Sequence, residues 1–125
     1  MAKVATTGLT VSGVPYGESV AAGELVGWSA SKLVRAFGGV SGPVPAVGVA
    51  AATYKNGDVG AMHLICQVAG FSGLVVGAAQ YLSVTAAGGV QSSEPVGAGE
   101  LKQVVGYAVA ADRVMVVLQD AGVLV

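Results

Sequence analysis

The chain has 125 residues, of which 54% are hydrophobic and only 10% are charged, and its formal net charge is −1. This length suits a single domain, and the scattered basic residues exclude a nucleic-acid-binding surface, which needs clustered lysine and arginine. Because soluble monomers carry about 25% charged residues, we expect this chain to bury neutral surface in an assembly.

The composition predicts an all-β fold. Valine favours strands because its branched Cβ fits a pleated surface, and the 20 glycines suit turns and bulges better than helices. We therefore expect a compact β-barrel or sandwich of short strands. The only stretch compatible with a turn or two of helix is residues 97–105, and its glycines favour a strand there as well.

In the first half, residues 3–13 are predicted to form an extended arm or a first strand. Residues 24–28 and 32–36 are predicted to pair as a hairpin, and residues 37–45, with two prolines and three glycines, form a loop. A strand at 46–51 leads to a turn at Asn56-Gly57, a strong hairpin signal, and a long strand at 59–69 follows.

The second half is predicted to consist of strands at 80–85, 104–108 and 114–118, with a turn at Gly88-Gly89. It repeats features of the first half, because Gly77 follows Gly23 by 54 residues and Gly106 follows Gly48 by 58. We therefore predict an arm over residues 1–14 and one β domain over 15–125, with an internal repeat at 15–69 and 70–125. Chance similarity in a valine- and glycine-rich chain is the alternative.

No constellation of residues predicts catalysis or cofactor binding. His63 and Cys66 are the only pair of soft ligands, and in one strand residues three apart would face opposite ways. A Ser-His-Asp triad would have to use His63, and no nucleophile-elbow motif is present. The acidic residues have no calcium-loop spacing. The sequence therefore predicts no enzyme, metal, cofactor or small-molecule substrate.

A membrane helix and a secretory signal are not expected either. The stretch between Asp58 and Glu94 has no charged residue, but glycine and polar residues interrupt it. The first seven residues have no apolar run behind Lys3.

The chain resembles a β module of tailed-phage virion proteins, particularly the small capsid cement, or head decoration, proteins. The resemblance spans roughly residues 15–120 and consists of turn and strand residues. The stretches that carry it are 23–28 (GELVGW), 45–50 (PAVGVA), 71–74 (FSGL), Gly77, 81–83 (YLS), 88–89 (GG), Pro95, 105–108 (VGYA) and 114–116 (VMV).

This resemblance implies a virion structural protein made in the host cytoplasm. It would bind the assembled head as a homotrimer and bridge subunits of the major capsid protein. A fibre module that binds a receptor or glycan is the alternative. The arm would add a strand to a neighbour, and the apolar carboxyl end would pack at a subunit contact. The predicted contact residues are Lys3, Val4, Leu9, Val11, Trp28, Val123, Leu124 and Val125.

Overall fold

The computed structural model describes residues 9–118 and 122–125. Within those ranges the chain has no helix, and every pairing between named strands is antiparallel, so the predicted all-β fold is confirmed. The strands are β1 (Thr10–Pro15), β2 (Leu25–Ser29), β3 (Lys32–Arg35), β4 (Gly48–Ala50), β5 (Val59–His63), β6 (Ile65–Ala69), β7 (Ala79–Leu82), β8 (Val90–Gln91), β9 (Leu101–Lys102), β10 (Val104–Ala110), β11 (Arg113–Val117) and β12 (Val123–Leu124).

The strands form two five-stranded sheets, with a short pair beside them. The first sheet has the order β1-β5-β4-β2-β3, the second has the order β6-β11-β10-β7-β8, and β12 pairs with β9. Of the two predicted architectures, the sandwich fits and a closed barrel does not form. The main core takes side chains from both sheets: Leu25, Ala36, Ala46, Val49, Cys66, Val68, Leu82, Leu101, Val105, Val114 and Val116.

The two sheets have the same topology. With β9 set aside, each strand of the second sheet occupies the place that its counterpart occupies in the first. The turns before β2 and β7 also match, because the Gly23 N–H donates to the Ala50 carbonyl at 3.0 Å and the Gly77 N–H donates to the Ala108 carbonyl at 2.8 Å. Duplication as the origin of this likeness stays a prediction. The sheets divide at Leu64, five residues before the predicted boundary.

The pairing registers show which residues are equivalent. In the first sheet one row across the strands runs Leu25–Val49–His63–Thr10. In the second sheet the matching row runs Ala79–Tyr107–Met115–Gln67. The neighbouring rows, Ala50–Met62–Val11 and Ala108–Val114–Val68, correspond in the same way.

A second apolar cluster covers the outer face of the first sheet. It joins Tyr16 and Val20 to Val26, Leu33, Ala50 and Met62 of that sheet, and Tyr54 packs against it. The rings of Tyr16 and Tyr54 stack with centroids 4.4 Å apart. The middle of the first sheet is therefore buried on both faces, which explains why β4 is apolar and buried at every residue.

The predicted long strand at 59–69 is wrong as a single element. It is two strands, β5 of the first sheet and β6 of the second, joined at Leu64. Two packed sheets require a crossing between them, and an unbroken run of apolar residues does not reveal where it falls. The predicted hairpin of residues 24–36 is confirmed, and its turn residues are Ala30 and Ser31.

Candidate interaction surface

His63 and Cys66 do not share one strand, so the expectation that they face opposite sides of a strand is wrong. Because the chain crosses between sheets at Leu64, the two residues belong to different sheets. The His63 ring is nearly buried and its Nδ1 lies 2.8 Å from the Thr10 hydroxyl. Burial raises the pKa of the Cys66 thiol to about 11, so the thiol stays protonated near neutral pH and is a poor nucleophile. In the described part of the chain no three His, Cys, Asp or Glu residues are placed to hold a metal ion.

A shallow cleft of about 440 Å³ lies beside the turn before β2. Two of its charged residues take part in local structure: the Arg35 backbone N–H donates to the carboxylate of Glu18, which is outside the lining, at 2.7 Å, and the Glu24 carboxylate accepts the Ala21 N–H at 2.8 Å. Such bonds fix turns and strand ends. The cleft is lined by Ser19, Val20, Ala21, Glu24, Arg35, Thr53, Tyr54 and Lys55, and this set contains no nucleophile paired with a base.

The predicted contact residues lie on three separate elements. Leu9 is exposed directly before β1. Val11 of β1 is half-buried and packs against the second apolar cluster described above, which we call the Tyr16–Tyr54 cluster. Trp28 is exposed on β2 near the end of its hairpin. Lys3 and Val4 lie outside the described residues.

The predicted arm is strand from Thr10 onward, and its backbone pairs with β5 of its own sheet. Residues 10–13 therefore already have an intramolecular partner strand. Of the arm proposed to pair with a neighbour, residues 1–8 lie outside the described ranges.

The carboxyl-terminal residues Val123, Leu124 and Val125 are exposed together. β12 pairs with β9, and the Val125 backbone bonds to Gly99 and Glu100 at 2.8 Å on each side. Their backbone is thus anchored to the domain while their apolar side chains face solvent.

The sequence reasoning missed an apolar surface on regular structure, which is the outer side of the second sheet. We call it the open face and define it by Ile65, Gln67, Tyr81, Val104, Tyr107 and Met115, which share one side of the paired strands. Ile65, Val104 and Tyr107 are each 45–46% exposed. The available signal was that β10 and β11 carry apolar residues on both faces, whereas a solvated antiparallel sheet alternates with polar residues.

Charged side chains are sparse and mostly satisfied at the surface. Among the described residues, ion pairs join Arg35 to Glu18, Lys102 to Glu94, and Arg113 to Asp112. Glu94 raises the pKa of Lys102 through a hydrogen bond and its charge. Exposed pairs of this kind add little stability, and none of them forms a large field of one sign that would steer a charged ligand.

Comparison with known proteins finds no family model and no curated protein sequence that matches the chain. The described residues also include no helix long and apolar enough to cross a membrane.

Proposed function

We propose that this chain is a non-enzymatic virion structural protein that decorates an assembled phage head. As a homotrimer it would bridge neighbouring subunits of the major capsid protein. The observation that carries the proposal is the amount of apolar side chain left in solvent by a well-packed β domain. The exposed large apolar residues are Leu9, Trp28, Val40, Val59, Ile65, Val75, Val76, Val96, Val104, Tyr107, Val123, Leu124 and Val125.

Surface of this kind supports an assembly role for a physical reason. A soluble monomer exposes large apolar side chains singly, whereas contiguous patches mark surfaces that meet another protein. The whole chain has only six basic and seven acidic residues to keep such a surface in water. Burial of these apolar side chains against sister subunits and a capsid would remove them from water.

The proposed mechanism is thermodynamic linkage, in which binding shifts an equilibrium, rather than a catalysed reaction. A protein that binds the expanded shell and not its separated subunits stabilises the shell by the free energy of binding. Each copy that spans two capsid subunits also holds both at high effective concentration. Trp28 and the exposed carboxyl end are the proposed capsid contacts. Tryptophan side chains that become buried at an interface are enriched among the residues that contribute most of the binding energy.

The test is co-sedimentation with heads of the encoding phage from which this protein has been removed. Expanded heads should bind it to saturation and withstand higher temperature, whereas unexpanded heads serve as the matched control and should bind little. Trp28→Ala should lower head occupancy at least tenfold at subsaturating concentration, and Val40→Ala, another exposed apolar truncation, should change it less than twofold.

Two results would reject the decoration function. One is a chain that sediments separately from expanded heads at all concentrations tested. The other is saturable binding to host cells or glycans without binding to heads, which is the behaviour expected of a fibre module.

A further inference from the structure

The open face corresponds to a face that is buried in the other half of the same chain. Val49 in the middle of the first sheet is equivalent by register to Tyr107, and His63 is equivalent to Met115. Val49 is fully buried in the main core and His63 is nearly so, whereas Tyr107 is 46% exposed. The same side of the same β unit is therefore covered by a sheet in the first half and uncovered in the second.

The two sheets are consequently stacked with their equivalent sides pointing in the same direction. The first sheet contributes Val49 to the main core, and the second contributes Val114, which is equivalent to Met62 on the opposite side of the first sheet. A stack of this type has one outer face at each end. The end formed by the first sheet is closed by Tyr16, Val20 and Tyr54, while the end formed by the second sheet is the open face.

The charges on the open face are compatible with packing against an identical surface. Arg113 shares the side of β11 that carries Met115, and it lies at the hairpin end. Its Nε is 3.6 Å from an Asp112 carboxylate oxygen, and its Nη1 is 3.4 Å from the Gln67 amide oxygen. If copies met through this face, their Arg113 side chains would come close while each is already paired with Asp112 and Gln67. Repulsion between these like charges would therefore be small.

We propose that the open face is the surface through which copies of this chain associate, with the open faces of the three copies of the proposed homotrimer meeting around one axis. The intramolecular precedent identifies the partner as a β-sheet of the same kind. Of the faces of the two five-stranded sheets in the described residues, a second copy offers this one, because the others are occupied by the main core and by the Tyr16–Tyr54 cluster. The inference deepens the proposed function, and rests on it for the expectation that the chain self-associates.

The first test measures mass in solution by sedimentation velocity over a range of concentrations. Tyr107→Lys places a charge at the centre of the open face and should convert the oligomer to a monomer. Val96→Lys, which charges the most exposed large apolar side chain among the described residues at 80% exposure, should retain the wild-type mass. A wild-type chain that is monomeric throughout, or a Tyr107→Lys variant that keeps the wild-type mass, overturns the inference.

A gentler substitution covers the case in which Tyr107→Lys fails to fold. Tyr107→Cys should form an intermolecular disulfide under mild oxidation at least tenfold faster than Val96→Cys, because each copy brings its residue 107 to the same interface. Cys66 is buried and should not react in either variant. Equal rates for the two variants overturn the inference.

The outcome can be separated from that of the proposed function. A chain that associates through the open face and ignores phage heads supports the inference and rejects decoration. A Tyr107→Lys variant that binds heads and still trimerises on its own supports decoration and overturns the inference.

Discussion

Gly106 and Gly48 occupy equivalent positions in β10 and β4, and both lie where the backbone of a neighbouring strand comes close. A Cβ on Gly106 would be 1.9 Å from the Met115 carbonyl oxygen, and one on Gly48 would be 3.0 Å from the His63 carbonyl oxygen. In β10 the pairing with β7 shifts by one residue between Val104 and Gly106. The glycine thus allows a bulge that places Val105 in the core.

Gly106→Ala should destabilise the fold by roughly 3 kcal/mol or more, because the new methyl group meets backbone that cannot turn away. Gly42→Ala is the matched control, since a Cβ there meets nothing within 4 Å, and it should change stability by less than about 0.5 kcal/mol. Urea unfolding followed by circular dichroism measures both. Similar midpoints for the two variants would contradict the close approach at Gly106.

At the scale of single elements, the β2–β3 hairpin has a turn whose residues suit it poorly. Ser29 pairs with Lys32, so the loop is only Ala30 and Ser31, with φ of 51° and 67°. A two-residue turn with both φ positive is the arrangement that Asn-Gly favours, yet the Asn-Gly of this chain lies elsewhere. In the Asn-Gly turn only Gly57 has a left-handed backbone, with φ of 93°. Hydrogen bonds between Asp58 and Lys55 close that turn.

Replacing Ala30 by Asn and Ser31 by Gly should therefore stabilise the protein by about 1–2 kcal/mol, because left-handed backbone costs about that much for ordinary residues. The thermal midpoint should rise by several degrees. Ser41→Gly makes a like substitution in an exposed turn where the replaced residue has negative φ, and it should give no gain. A doubly substituted chain with an unchanged midpoint would argue against strain in this turn.

At the scale of the whole molecule, a buried glutamine joins the two halves. The Gln103 amide oxygen accepts the Ala46 N–H at 2.8 Å, and its amide nitrogen donates to the Ala46 carbonyl at 2.9 Å. Gln103 is fully buried and follows β9, whereas Ala46 precedes β4. The side chain thus satisfies both backbone groups of a buried loop residue that lies outside the strands.

Gln103→Leu should cost about 3 kcal/mol, since it leaves the Ala46 N–H and carbonyl buried without these partners. Gln91→Leu is the control: its amide oxygen also accepts a backbone N–H, that of Val84 at 3.0 Å, but the residue is only half-buried and water can replace it. We expect a loss of less than about 1 kcal/mol there. Chemical denaturation of both variants gives the comparison, and equal losses would remove the special role of Gln103.

Much of the local structure was predictable and much of the candidate surface was not. The strand positions of β2, β3, β10 and β11 followed from short runs that contain valine and other apolar residues, because branched side chains favour extended backbone. The open face did not follow, because Tyr107 and Met115 lie in strands that are apolar on both sides. The predicted contacts Trp28 and Val123 were found exposed, but their partners stay a prediction.

By itself, the sequence determined that this protein is all-β and where most of its turns fall, since these depend on residue type and short spacing. Only the tertiary structure decided that the run at 59–69 crosses between sheets at Leu64, that Gln103 reaches Ala46, and which side of each strand is buried. Those outcomes depend on how two similar sheets stack. Apolar residues on both faces of a strand are compatible with either orientation, so the packing of the first sheet on the second selects the face that remains open.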